Sequence, residues 1–121
     1  MKNKFFIFFV LMFFCSSARA AVTDVNLVAL KRVASYGQKT VTTSGTEVQL
    51  TATSTTCSSL LVKALAGNTG KIYVGGNSSV TTSNGFELSK GDSVGLDVDN
   101  VQDVYIDAQT NGEGVSWISI N

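Results

Sequence analysis

Short apolar runs separated by glycine and asparagine turns recur along most of this chain, with no long amphipathic helix between them. Residues 46–52 and 93–98 alternate between apolar and polar side chains, as strands with one buried face do. Asparagine and glycine tolerate the positive φ that tight hairpins need. Because about six such runs follow one another at roughly ten-residue spacing, the pattern predicts an all-β fold, a single antiparallel β-sandwich or jelly-roll-like domain.

The same alternation predicts which side of each strand faces the core. Residues 60–65 form a nearly continuous apolar run, which predicts a central strand buried on both faces. In residues 115–120, Trp117 and Ile118 are expected on opposite faces. In the alternating runs, the residues predicted to face the core are Val48, Leu50, Ala52, Ile72, Val74, Val94, Leu96, Val98, Val104, Ile106 and Ala108.

The first twenty residues differ from the rest in composition. Lys2 and Lys4 precede an unbroken apolar run over residues 5–14, and Ala18-Arg19-Ala20 is a small-x-small cleavage signal. A helix over that run would cover about 15 Å of a bilayer core about 30 Å thick, too little to span it. The pattern predicts a signal peptide, residues 1–20, cleaved after Ala20, with a retained membrane anchor as the alternative, since residues 15–18 could lengthen the apolar segment. We therefore expect an exported protein, periplasmic or extracellular, with no membrane attachment after cleavage.

Residues 21–121 are too few for two domains and enough for one. Residues 21–38 are a possible N-terminal arm. Within them the segment 25–35 is ambiguous, because Val25, Leu27 and Ala29 alternate as in a strand, whereas Leu27, Leu30 and Ala34 have a helical spacing. We favour a strand or an extended N-terminal arm for this segment.

Composition excludes several classes of function. Residues 21–121 carry six basic and nine acidic side chains, a net charge of −3, so no basic patch for nucleic acid is expected. The chain has no histidine, which excludes Ser-His-Asp and Cys-His catalysis and imidazole metal sites. Cys57 is predicted to be a small buried residue, with a disulfide to another chain as the alternative. No cofactor is expected.

The one concentration of charge is acidic. Asp97, Asp99, Asn100 and Asp103 could supply oxygen ligands to calcium. Alternation instead favours a solvated strand face, and no loop of EF-hand spacing is present, so we expect no metal site. The other aspartates of this acidic stretch are Asp92 and Asp107.

Hydrolysis of a glycoside would need two carboxylates facing each other across a cleft. Glu47, Glu87 and Glu113, with the aspartates, are the available groups, but nothing in the sequence marks any pair as desolvated or facing. We therefore expect a protein that is not an enzyme.

Two tyrosines and two leucines are candidates for binding. Tyr73 and Tyr105 fall on the polar faces of their strands, where exposed rings could stack on a surface glycan or contact a protein. We favour the simpler interpretation, that they cover a sheet face with their hydroxyls in water. Leu61 and Leu65, beside Lys63, are candidates for a contact between subunits, including a small symmetric homo-oligomer.

The chain contains, in this order, the segments 68–76, 80–88, 91–94, 99–101 and 104–106. Together they resemble a group of small β-sandwich proteins. These are encoded among the structural genes of tailed bacteriophages and prophages, as virion-associated or head-decoration-like proteins. The resemblance covers roughly residues 40–119 and implies a non-catalytic component of a particle surface. The signal peptide is atypical of the group.

We therefore expect an exported structural or binding module that contacts other protein subunits. A phage-type virion surface or decoration protein is the favoured function. The alternative is a secreted bacterial adhesin or carbohydrate-binding module.

Overall fold

The computed structural model describes residues 32–121, and every structural statement below concerns that part of the chain. The predicted signal peptide and residues 21–31 lie outside it, whereas residues 34–38 belong to the first strand. No helix in the described part is long and apolar enough to cross a membrane. The elements are β1 (Ala34–Val41), β2 (Val48–Gln49), β3 (Ser59–Ala64), β4 (Ile72–Gly75), β5 (Phe86–Leu88), β6 (Ser93–Leu96), a 3₁₀ helix η1 (Val101–Asp103), β7 (Tyr105–Ala108) and β8 (Glu113–Ile120).

The strands pair as one long hairpin that has curled on itself. Strand β1 pairs with β8, β2 with β7, β3 with β6 and β4 with β5, all antiparallel, so the tip of the hairpin is the loop 76–85. Curling brings β3 against β8 and β4 against β7. Two four-stranded sheets result: sheet A in the order β1-β8-β3-β6, and sheet B in the order β2-β7-β4-β5.

The core lies between the two sheets and is built by strand alternation. Ile72 and Ile106 of sheet B and Leu60 and Val62 of sheet A are almost completely buried. Each such side chain contributes about 1.5–3 kcal/mol relative to its exposed state. The predicted antiparallel β-sandwich is therefore confirmed. The buried core comprises Val41, Leu50, Cys57, Leu60, Val62, Ala64, Ile72, Val74, Leu88, Val101, Val104, Ile106, Ala108 and Val115.

Two sequence predictions about these strands are wrong. Strand β3 is central in sheet A, but only one of its faces is buried, and Leu61 and Lys63 are exposed on the other. The apolar run did not reveal this, because Leu61 is apolar and yet faces outward. Ala52 is also exposed, because β2 ends at Gln49 and the chain then leaves the sheet.

Strands β1 and β8 approach closely at a glycine. A Cβ atom at Gly114 would lie 2.4 Å from the backbone oxygen of Lys39, so any side chain there would push the two strands apart. At Gly37 a Cβ would lie 2.8 Å from the Trp117 ring, which packs against β1 from the core side. The close approach of β1 and β8 therefore requires glycine at position 114, and at position 37 a side chain would have to displace the Trp117 ring.

We expect Gly114→Ala to lower the free energy of unfolding by about 1–3 kcal/mol, because the neighbour is backbone and cannot rotate away. For a domain of this size that corresponds to a fall of about 4 °C or more in Tm by calorimetry. Gly95→Ala in β6 is the matched control, since nothing lies within 4 Å of the Cβ position there. Equal Tm values for the two variants would contradict the close approach.

Candidate binding face

The outer face of sheet A carries a row of exposed apolar side chains. Tyr36 in β1 lies opposite Ile118 in β8, which lies opposite Leu61 in β3. Tyr36 is 82% exposed, and Ile118 and Leu61 are each 44% exposed. Ile120, two residues along β8, extends the row and is 38% exposed. We call Tyr36, Leu61, Ile118 and Ile120 the apolar face.

Strand alternation explains why these residues point outward. In β8, Trp117 packs against the core, so its neighbour Ile118 must face the other side. In β3, Leu60 and Val62 are buried, which turns Leu61 outward. The sequence prediction that Trp117 and Ile118 lie on opposite faces is confirmed.

A polar row borders the apolar face. Gln38, Ser116, Lys63 and Ser93 follow one another across β1, β8, β3 and β6. Leu65, named with Leu61 from the sequence, is half-buried just beyond β3. An apolar centre that includes a tyrosine and has a polar rim is the composition found at protein–protein contacts.

The outer face of sheet B is covered in part by the loop 76–85. Val80 is 4% exposed and lies over Gly75 and Gly85, where added Cβ atoms would come within 2.8 Å and 2.7 Å of its side chain. Gly85 in turn packs against Tyr73, which is 9% exposed. The prediction that Tyr73 lies on a solvated polar face is therefore wrong, because the hairpin tip folds back over it.

Tyr105 does not form an exposed platform with Tyr73. It is half-buried opposite Gly75, and Tyr73 lies opposite Asp107, so the two tyrosines are diagonal neighbours on sheet B. With one ring covered and the other partly covered, the pair cannot present two open faces to a sugar. No sequence pattern signals the burial of Tyr73, because its side chain is covered by a loop whose path strand periodicity does not predict.

An open depression of about 260 Å³ lies at the hairpin tip. Its polar groups are already used within the loop. Asn77 Oδ1 accepts from the Ser79 amide, and Asn84 Oδ1 accepts from the Thr81 amide while its Nδ2 donates to the Ser79 carbonyl. These side chains shape the loop, which leaves few groups converging on a ligand. The lining residues are Gly75, Gly76, Asn77, Ser79, Val80 and Asn84.

The candidate calcium ligands lie close together along the chain, but the structure gives one of them another role. Asn100 Oδ1 accepts from the amides of Thr55 and Gln102, capping η1, and its Nδ2 donates to Ser54. Asp97, Asp99 and Asp103 are exposed. Among the described residues, no three acidic, cysteine or histidine side chains are arranged to hold a metal ion.

Asp107 differs from the other aspartates of the acidic stretch. It is only 1% exposed, so the prediction of a solvated side chain is wrong here. Its Oδ1 accepts from the amides of Gly45 and Ala108, at 2.9 Å and 2.7 Å. Ser44, next to Gly45, is held by Asn111 and the Gln109 carbonyl. Asp107 thus anchors the loop between β1 and β2.

Glu113 plays the equivalent role for the loop between β3 and β4. It is 5% exposed, and its Oε1 accepts from the Thr69 amide, the Thr69 hydroxyl and the Gly70 amide. Burial alone would raise the pKa of Glu113, but these hydrogen bonds outweigh it and hold the pKa below its ordinary value. Beside it, Asn68 exchanges two hydrogen bonds with the Gly114 backbone.

The other carboxylates named from the sequence lie on the surface or near it. Glu87 forms an ion pair with Lys71, both side chains being about half-exposed. Glu47 is half-buried. Since Glu113 is occupied in holding a loop, the arrangement offers it no role as a free catalytic acid or base.

Cys57 is buried, at 6% exposure, and its thiol donates to the Val98 carbonyl. Burial raises the pKa of this thiol, and the nearby carboxylates of Asp99 and Asp103 add to the increase. A buried thiol with a raised pKa is a poor nucleophile and a poor disulfide partner. The structure therefore supports the interpretation of Cys57 as a packing residue.

Comparison with known proteins adds no further constraint. No protein-family model, curated protein or solved structure matches the chain.

Glu113→Gln is expected to lower the free energy of unfolding by about 1.5–3 kcal/mol at pH 7, because a neutral amide replaces a hydrogen-bonded carboxylate. The folded pKa of Glu113 is lowered. Its stabilisation is therefore complete above the ordinary pKa of about 4.3 and is lost as the pH falls through the folded value. Urea unfolding at pH 7, 4 and 2.5 should show the difference from wild type shrinking with acid. A difference that is constant with pH would contradict the assignment.

Proposed function

We propose that this domain is an exported, non-catalytic structural module that docks onto another protein through the apolar face of sheet A. The observation that carries the proposal is the exposed row of Tyr36, Ile118 and Leu61 across three adjacent strands. The largest contiguous apolar patch on the surface of a soluble domain is often a functional contact site. Export rests on the predicted signal peptide.

The chemistry of the face defines the partner's surface. The apolar face lies on three strands at about 4.8 Å spacing, so its outer strands are about 10 Å apart, which suits a modest contact with a protein surface. The border of Gln38, Ser116 and Ser93 is uncharged, with Lys63 as its charged member. We expect a partner surface that is apolar at its centre and polar or acidic opposite Lys63.

The path of the chain supports a particular kind of sandwich. Pairing of β1 with β8, β2 with β7, β3 with β6 and β4 with β5 is what one hairpin wound into two sheets produces, and we assign it as a jelly roll. Viral capsid and lectin domains use that architecture. Fold alone does not determine function. The choice of a virion surface therefore rests on the resemblance to phage decoration-like proteins.

The alternative, a cell-surface adhesin, would use the same apolar face on a protein partner. A carbohydrate-binding module loses its main support, because Tyr73 is buried beneath the hairpin tip.

The proposal is tested by substituting residues of the apolar face and measuring where the protein is found in a culture of cells that produce it. The supernatant is separated by ultracentrifugation into particles or envelopes and a soluble fraction. We expect the wild-type chain, beginning at Ala21, in the pellet. The triple variant Tyr36→Ser, Leu61→Ser, Ile118→Ser should move to the soluble fraction with an unchanged circular dichroism spectrum.

The matched control alters the uncharged residues of the adjacent polar row, with Gln38→Ser, Ser116→Ala and Ser93→Ala, and keeps Lys63. This variant should sediment like wild type. Pelleting of the triple apolar variant to the wild-type extent would refute the docking face. Recovery of the protein only from cytosol, with Met1 retained, would refute export.

A further inference from the structure

The edge of sheet A formed by β1 is unusual among the edges of the described fold. The four edge strands within residues 32–121 are β1, β2, β5 and β6. Strand β1 has eight residues, whereas β2, β5 and β6 have two, three and four. Natural sheets protect their edges with short strands, prolines, bulges or charges, because an open edge pairs with other chains.

Strand β1 has few of these protections. The chain has no proline, and β1 pairs with β8 in an unbroken register from Ala34 opposite Ile120 to Val41 opposite Glu113. Its one charged residue is Lys39, whose neighbours in β1 are Gln38 and Thr40. The strand is thus long, regular and nearly uncharged.

The hydrogen bonds show which backbone groups of β1 remain open. The Asn121 amide donates to the Val33 carbonyl, and the Leu65 amide donates to the Gly114 carbonyl. The odd-numbered residues of β8 therefore bond to β1, and the even-numbered ones bond to β3. Consequently the amide and carbonyl groups of every second β1 residue point away from β8. Those residues are Ala34, Tyr36, Gln38 and Thr40.

We propose that β1 pairs antiparallel with β1 of a second copy of this chain, about a two-fold axis at Gly37. This register places Tyr36 opposite Gln38 of the second copy, and Ala34 opposite its Thr40. All four open residues are then used, giving about eight hydrogen bonds, which is within the number found in specific interfaces. The two sheets A become one eight-stranded sheet.

The second copy fits this edge better than a strand of unrelated sequence for two reasons. The two-fold axis matches the four open residues of one copy with those of the other, leaving none unpaired. In addition, Lys39 lies opposite Ser35 of the second copy, so the two lysines do not meet. Because the paired edge is smaller than a standard interface, we expect a weak dimer that dissociates on dilution.

The inference is independent of the proposed docking face, although it would place two such faces side by side. A substitution at Leu61 distinguishes docking through the apolar face from pairing at the β1 edge. It belongs to the apolar face but lies on β3, separated from the open edge by β8. Leu61→Lys should therefore weaken docking by the face and leave edge pairing unchanged.

Sedimentation velocity of the purified protein over about a hundred-fold range of concentration tests the dimer. We expect a concentration-dependent dimer for wild type, for Gln38→Ala, which keeps the amide, and for Leu61→Lys. Gln38→Pro removes only an open-edge amide, and proline is tolerated on edge strands, so this variant should stay monomeric. A monomeric wild type, or a dimer lost in Leu61→Lys but kept in Gln38→Pro, would overturn the proposal.

Amide hydrogen exchange on the wild-type protein provides a second measurement that needs no variant. The amides of Tyr36, Gln38 and Thr40 should exchange more slowly as concentration rises. Those of Gly37 and Lys39, which bond to β8, should not change. Exchange at the open-edge amides that is independent of concentration would also overturn the proposal.

Discussion

Strand β8 is the element on which the rest of the structure depends, because it pairs along one edge with β1 and along the other with β3. This double pairing closes the curled hairpin. The same strand packs Trp117 against the core, presents Ile118 to solvent, and at its start uses Glu113 and Gly114 to hold the loop between β3 and β4. Sheet A owes both its integrity and its apolar outer face to these residues.

A second feature that stabilises the fold is the hydrogen bonding of loop amides to side-chain oxygens. Asp107 and Glu113 each direct a carboxylate oxygen at backbone amides of a loop, and Asn100 does the same with its amide oxygen. In a domain rich in serine, threonine and glycine, such bonds fix connections that have little apolar surface to bury. Of the acidic stretch in the sequence, Asp107 is therefore structural, whereas Asp97, Asp99 and Asp103 lie exposed on the surface.

Much of the fold follows from the sequence, because alternation is a local property. The inward positions of β4, β6 and β7 were predictable for that reason, and in β8 alternation placed Trp117 and Ile118 on opposite faces without showing which one faces inward. Strand β1 was not, since its glycine, glutamine and threonine residues carry no alternating apolar signal, and its pairing with β8 is long-range. Burial of Tyr73 and Asp107 was also beyond the sequence, because both are covered by loops whose paths periodicity does not encode.

The candidate face was predictable only in part. Leu61 stood out beside Lys63, but its alignment with Tyr36 and Ile118 depends on the register of three strands that are far apart in the chain. Once that register is known, the outer faces of the two sheets differ in how much apolar surface they expose. The outer side of sheet B is covered in part by the hairpin tip, and that of sheet A presents apolar side chains to water. This asymmetry is the reason for proposing sheet A, and not sheet B, as the docking side of the domain.

The most direct test is hydroxyl-radical footprinting of the protein on isolated particles or envelopes, compared with the free protein. Tyr36, Leu61 and Ile118 should lose reactivity on attachment. Phe86, which is 60% exposed on the edge strand β5 of sheet B, should remain reactive. Unchanged reactivity at Tyr36 and Ile118, with protection appearing instead at Phe86 or in the loop 76–85, would contradict the account.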